Sequence, residues 1–126
     1  MCMIDDSDGD FDFIHARMIG CATATHQCGE CDRTICQGES YERTVTILDG
    51  HAKTSKACVH CLAARKWLEL NCHGWVFGEV RSDLFYHWDA GVGDAWWLAY
   101  CVGGMRRGWQ LENGDMMQLP TAAEKV

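Results

Sequence analysis

Hydrophobic and polar positions alternate along the middle of the chain, and this alternation predicts a β-hairpin. The run from Gly38 to Leu48 predicts a strand whose alternate positions form one face. These positions are Tyr41, Arg43, Val45 and Ile47. Asp49-Gly50 is a strong signal for a tight turn, and residues 51–57 follow as a second, more polar strand. The hairpin is therefore expected to end at Cys58.

Helical patterns dominate the rest of the chain. Residues 62–70 contain no glycine or proline and are rich in good helix formers. Their predicted apolar stripe consists of Leu62, Ala63, Trp67 and Leu70. Further along, Ser82-Asp83 is expected to cap a short helix with Leu84, Phe85 and Trp88 on it. Asp94 is expected to cap a third helix that extends to Met105, and Gly103-Gly104 either weakens its centre or marks a close contact with another element.

The two ends of the folded region carry weaker patterns. Residues 13–24 are expected to form a short helix, because Ile14, Met18 and Cys21 recur at helical spacing. Near the C-terminus, Asn113-Gly114 is the signature of a type I′ turn. A C-terminal hairpin is therefore predicted from Trp109 to Gln118.

Together these elements predict an α+β fold in one domain. A length of 126 residues suits a single domain, and 48% hydrophobic with 23% charged residues is ordinary for a folded protein. We expect residues 1–12 to be an acidic flexible head and residues 13–126 to be the domain. Within it, a half with the hairpin and the first helix (26–71) precedes a helical half (72–126). No apolar run is long enough to span a bilayer and no export signal is visible, so a cytoplasmic protein without membrane contact is expected.

The net charge of −7 is concentrated at the N-terminus. Five aspartates lie in residues 1–12 without any Lys or Arg, and the other 13 acids are nearly balanced by 11 bases. This distribution is not that of a protein that binds nucleic acid through bulk electrostatics.

Nine cysteines and no export signal favour metal ligands over a disulfide framework. Cys28-x2-Cys31 and Cys58-x2-Cys61 flank the predicted hairpin, and the second pair leads into the predicted helix. Structural zinc takes four thiolate or imidazole ligands in a tetrahedron. A tight turn that holds the first cysteine pair (a zinc knuckle), then a hairpin and then a helix is the order of elements in a treble-clef zinc site. We therefore predict one structural Zn²⁺ on these four cysteines. The competing interpretation is four buried free cysteines.

Several neighbouring residues leave the ligand set open. His26, Cys36 or His60 could replace one of the four cysteines. Cys72-His73 could belong to a second site, although packing is the simpler interpretation. Cys21 and Cys101 fall on apolar faces and are expected in the core.

Six tryptophans are unusual for this length. Trp96 and Trp97 are adjacent and cannot both face one core from a helix, so at least one is expected at the surface, where tryptophan often anchors a partner. Enzymatic activity is not expected, because a site of four thiolates is closed and no nucleophile-elbow, P-loop or zinc-protease motif is present.

The chain also resembles a family of small uncharacterised phage and prophage proteins with a zinc-binding, treble-clef-like fold. In the first half the resemblance rests on His26, Cys28, Cys31, Ile35, Gly38, Glu39, Tyr41 and Arg43, followed by Cys58-x2-Cys61. In the second half it rests on Gly74-Trp75, Asp83-Leu84, His87-Trp88 and Met105-Arg106-Arg107. It covers most of residues 17–118, and the Asp-rich head and extra cysteines depart from it. The resemblance implies a phage origin and a zinc-stabilised fold, without supplying an activity.

Three functional hypotheses follow. The first is an interaction protein that binds a host or phage protein or a second copy of itself, with Trp96 and Trp97 as contact residues; a counter-defence protein of the anti-CRISPR type is one such role. The second is a nucleic-acid-binding module that uses Arg65 and Lys66 on the predicted helix after Cys61; the acidic net charge disfavours it. The third is a nuclease. It is the weakest hypothesis, because the first strand of the predicted hairpin ends in Leu48 and Asp49 and not in a catalytic histidine.

Overall fold

A computed structural model describes residues 13–72 and 74–120, with the backbone alone for Phe13. Its architecture is α+β, as predicted. The acidic head lies outside the described residues. The elements are β1 (Phe13–Ile19), β2 (His26–Gln27), β3 (Thr34–Ile35), β4 (Tyr41–Leu48), β5 (His51–Cys58), α1 (Val59–Asn71), α2 (Val80–Asp89) and α3 (Ala95–Arg106). None of the helices in this part of the chain is long and apolar enough to cross a membrane.

The predicted hairpin is confirmed as β4 and β5. Leu48 pairs with His51 across a two-residue turn, and both turn residues have positive φ, 52° at Asp49 and 80° at Gly50. Positive φ at both central positions defines a type I′ turn, which Asp-Gly favours because both residues tolerate the left-handed conformation.

The predicted helix at residues 13–24 is wrong. Residues 13–19 form β1, which pairs antiparallel with β4 and makes the order of the three-stranded sheet β1-β4-β5. Ile14, Ala16 and Met18 alternate with His15 and Arg17, so the segment also carries the two-residue period of a strand. The free edge of β4 supplies backbone partners, and these decide between the two periods.

The sheet packs one face against α1. Thr44 and Thr46 are almost fully buried on this face, and Glu42, two residues before Thr44, contacts Arg65 of α1. The alternating residues predicted to share one face, from Tyr41 to Ile47, lie on the opposite face of the sheet. On that face Arg43 is exposed.

The predicted helix after Cys61 is confirmed as α1, and of its predicted apolar stripe only Trp67 is buried. The buried positions are His60, Cys61, Ala64, Arg65, Trp67 and Leu68. Leu70 is 48% exposed, and Leu62 and Ala63 are half-buried. Cys61 faces inward with the other cysteines, and this sets the rotation of the helix so that Ala64 and Leu68, at helical spacing from it, fill the core.

The second half is helical, as predicted, with one shifted boundary. α2 begins at Val80, not at Ser82-Asp83, and it buries Leu84 while leaving Phe85 and Trp88 about two-fifths exposed. The cap of α3 is confirmed, because the Asp94 side chain accepts a hydrogen bond of 3.1 Å from the Trp97 backbone N–H.

The C-terminal hairpin is reduced to one bridge between Gln110 and Met116. The Gly114 N–H donates to the Leu111 carbonyl at 2.9 Å, which places Asn113-Gly114 at the end of a four-residue turn. Of the two, only Gly114 has a positive φ, so the predicted type I′ turn is wrong.

Gly104 in α3 provides the close contact expected from the glycine pair. A Cβ on Gly104 would lie 2.3 Å from Trp109 Cε3, whereas a Cβ on Gly103 would meet nothing within 4 Å. Trp109 is fully buried, so its indole cannot move aside without disturbing the core.

We predict opposite effects for alanine at these two positions. Gly104→Ala should lower the free energy of unfolding by about 1–3 kcal/mol through overpacking against Trp109. Gly103→Ala should leave it unchanged or raise it by up to about 1 kcal/mol, because alanine favours the helix. Urea unfolding of both variants measures the difference; equal effects would contradict the packing of Trp109 on Gly104.

Candidate metal centre

The structure brings together the four cysteines predicted as ligands. The Sγ atoms of Cys28, Cys31, Cys58 and Cys61 all lie within 4.8 Å of one another, and all four residues are buried. Cys28 and Cys31 come from the loop between β2 and β3, which we call the knuckle (residues 28–33). Cys58 ends β5 and Cys61 lies in the first turn of α1.

The knuckle closes through its own backbone. The Cys28 N–H donates to the Arg33 carbonyl at 2.9 Å, and the Asp32 N–H donates to the Cys28 carbonyl at 3.0 Å. Asp32 has a φ of 65°, a left-handed conformation that Asp tolerates better than most residues. The tight turn directs Cys28 and Cys31 toward one point.

Backbone hydrogen bonds attach the knuckle to the end of the hairpin. The Gly29 N–H donates to the Lys56 carbonyl at 2.7 Å. The N–H groups of Glu30 and Cys58 both point at the Cys28 sulfur, each at 3.4 Å. Cys28 therefore sits where two chain segments supply donors, an arrangement that favours a thiolate.

The hydrogen bonds within the cluster favour a thiolate at Cys28, but the hydrogen bonds to Cys28 raise the pKa of Cys31 and Cys61, so four thiolates require a cation among them. Hydrogen bonds from the thiols of Cys31, Cys58 and Cys61 hold the pKa of Cys28 well below its usual range. The indole Nε1–H of Trp109 donates to the Cys61 sulfur at 3.3 Å. Cys58 and Cys61 also lie at the N-terminus of α1, where the helix dipole favours negative charge.

Four convergent sulfurs form a donor set for a soft or borderline metal ion. Cys28 and Cys61 sulfurs are 3.7 Å apart, and those of Cys31 and Cys58 are 3.9 Å apart. For a tetrahedron with metal–sulfur bonds of about 2.3 Å, the sulfurs must lie about 3.8 Å from one another. The cluster therefore fits one tetrahedral ion.

The three alternative ligands lie outside this cluster. The ring nitrogens of His26 contact Tyr41 Oη at 3.3 Å and Lys56 Nζ at 3.2 Å. His60 Nε2 lies 2.6 Å from the Met117 carbonyl oxygen. Cys36 is exposed.

The other cysteines separate into surface and interior. Cys101 is buried as predicted, but Cys21 is exposed because residues 13–19 form a strand instead of a helix that would turn Cys21 inward. Cys72 Sγ lies 3.6 Å from His87 Nε2, away from the four-cysteine cluster. The possible second site with His73 stays a hypothesis, since His73 lies outside the described residues.

The four predicted contact residues differ in accessibility. Trp96 is 88% exposed, whereas Trp97 is buried, so Trp97 presents almost no surface to a partner. Arg65 is also buried: its guanidinium donates to both carboxylate oxygens of Glu42, at 2.8 and 2.7 Å, and stacks over Trp75. Lys66 is exposed and lies 3.6 Å from Glu69.

The sequence pattern does not predict two residues that support the site, Trp109 and Glu30. Trp109 was expected in a hairpin, but its indole contacts Cys61 from 48 residues away. Glu30, between the first two ligands, accepts hydrogen bonds from the N–H groups of Gly78 and Val80 at 2.9 and 3.2 Å. It thereby caps α2, whose own N-cap Glu79 makes no side-chain capping bond. No local pattern indicates contacts over such separations.

Comparisons of the chain with protein-family models, with curated proteins and with solved structures found no match. The assignment of the metal centre therefore rests on the geometry of its four cysteine sulfurs.

The capping role of Glu30 predicts a stability difference between two glutamates. Glu30→Ala should lower the free energy of unfolding by about 0.5–2 kcal/mol, the usual range for loss of a helix cap. Glu79→Ala, at the exposed N-cap position, is the matched control and should have little effect. Chemical denaturation of both variants tests this; similar losses would show that the Glu30 contacts with Gly78 and Val80 do not stabilise α2.

Proposed function

We propose that this protein is held in shape by one structural Zn²⁺ in a treble-clef-like site and acts by binding another protein. The observation that carries the zinc site is the convergence of four buried cysteine sulfurs from the knuckle and the start of α1. Zinc is the metal most often held by four thiolates in a structural role.

The order of elements supports the treble-clef assignment. The knuckle comes first, the β4–β5 hairpin follows, and α1 begins directly at the second cysteine pair. In such an arrangement the metal joins a loop to a helix N-terminus across the end of a hairpin. The proposal assigns no catalysis to the ion, because four thiolates leave no open position for water or substrate.

The surface supports a protein partner over a nucleic acid held by α1. Arg65 was the first candidate for phosphate contact on that helix, and its charge is already paired with Glu42 inside the protein. Trp96, by contrast, presents nearly its whole side chain to solvent at the start of α3. Tryptophan is the residue type most enriched among interface hot spots, because it buries a large rigid surface on binding.

The identity of the partner rests on the resemblance alone. Small phage and prophage proteins of this type point to a host or phage protein in the cytoplasm, and inhibition of a host defence system of the anti-CRISPR type is the role we favour. A homodimer through Trp96 is the alternative.

The zinc proposal predicts about one zinc per chain in the purified protein, measured by elemental analysis. Cys58→Ser should lose the metal and unfold the region around the knuckle, since ligand binding and folding are linked. Cys36→Ser, which removes an exposed thiol outside the cluster, should retain both. A folded wild type without metal, or metal retention in Cys58→Ser, would contradict the proposal.

The protein-contact proposal predicts that Trp96→Ala weakens partner binding at least about tenfold, as expected for a hot spot. Affinity capture from host lysate, quantified against Trp88→Ala as a less exposed tryptophan control, measures this loss. Sedimentation of both variants separates a host partner from self-association. Equal capture and equal sedimentation by wild type and Trp96→Ala would rule out Trp96 as the contact.

A further inference from the structure

The face of the sheet opposite α1 carries a row of three cations. The strand register aligns Arg17 of β1 with Arg43 of β4, and Arg43 with Lys56 of β5. Residues aligned in this way project from the same face, and neighbouring strands are about 5 Å apart. The three positive side chains therefore originate within about 10 Å of one another, and we call their surface the basic face.

No acid neutralises this row among the described residues of the sheet. The other positions on the basic face are His15, Ile19, Tyr41, Val45, Ile47, Ala52, Thr54 and Cys58. Arg17 and Arg43 are exposed, and neither takes part in the ion pairs of the described residues. Lys56 Nζ lies 3.2 Å from His26 Nδ1 and takes part in none of the ion pairs of the described residues.

Such a row is unfavourable for the isolated fold. Like charges directly opposite one another on neighbouring strands are destabilising. The two buried arginines are paired, Arg33 with Glu39 at 3.0 Å and Arg65 with Glu42 at 2.7 Å. The basic face is thus an uncompensated charge cluster on a chain whose net charge is −7.

We propose that the basic face binds the phosphate backbone of a nucleic acid, independently of base sequence. Its cations are supplemented by the exposed Thr54 in the adjacent aligned row, and guanidinium, ammonium and hydroxyl groups are donors that contact phosphates. Contacts from such groups to phosphate oxygens carry no sequence information, so the proposed binding is to the backbone. This site goes beyond the proposed protein contact and shares no residue with it.

The salt dependence of binding tests the proposal. Fluorescence anisotropy with a labelled random-sequence DNA duplex should show weak binding at about 50 mM salt. Three phosphate contacts give a slope of about −2.7 in a plot of log affinity against log salt, so the affinity should fall about 40-fold between about 50 and 200 mM salt.

Charge-removing variants identify the surface. The double variant R17Q/R43Q should leave one contact, a slope of about −0.9 and a fall of only about 3- to 4-fold over the same range. Both side chains are exposed, so thermal unfolding should be unchanged or slightly improved. The matched control is Arg81→Gln, an exposed arginine on α2, which should keep the wild-type slope.

Three results would overturn the proposal. The first is a wild-type protein that does not bind the duplex at low salt. The second is an equal loss of binding in R17Q/R43Q and Arg81→Gln. The third is competition by poly-glutamate as effective as that of unlabelled duplex at equal charge, which would assign the face to an acidic protein segment.

Discussion

Four buried sulfur atoms within 4.8 Å of one another are the constraint on which the fold is organised. Thiolates gathered in an interior repel one another and lose their hydration, so they need a counter-charge at their centre. Protonated thiols avoid the repulsion but do not hold the segments together. The Zn²⁺ of the proposed site would supply both the charge and four bonds, and would make the knuckle, the end of β5 and the start of α1 one unit.

The helical half depends on the same centre through three long-range contacts. Glu30 extends from the knuckle to the first residues of α2, and Trp109 joins Cys61 to Gly104 of α3. His60, between the two α1 ligands, contacts the Met117 carbonyl. The buried core accordingly runs without a break from Cys28 to Trp109, so a disturbance at the metal centre should spread to both halves.

The sequence correctly predicts the features that depend on residues close to one another along the chain. The paired cysteines, the Asp49-Gly50 turn and the Asp94 cap each depend on neighbours within a few residues, and each lies where it was expected. The failures depend on tertiary contacts. Residues 13–19 satisfy both the helical and the strand period, and only the free edge of β4 decides between them. Adjacent Trp96 and Trp97 had to diverge, but which one is exposed depends on the rotation of α3 against the core.

The surface charge likewise depends on tertiary contacts and strand register, which the composition does not reveal. Arg65 has the sequence context of a surface contact on a helix, yet it is buried in the structure and forms an ion pair with the half-buried Glu42. The helical spacing of residues 13–24 predicts a helix at Arg17, and a helix would not align Arg17 with Arg43 and Lys56. A net charge of −7 sets the long-range field and lowers the rate of encounter with any polyanion. Within a Debye length of about 8 Å at physiological salt, however, the nearest charges dominate. The charged residues that the described strands align on the basic face are Arg17, Arg43 and Lys56, so the register of three strands, not the composition, determines the chemistry of this surface.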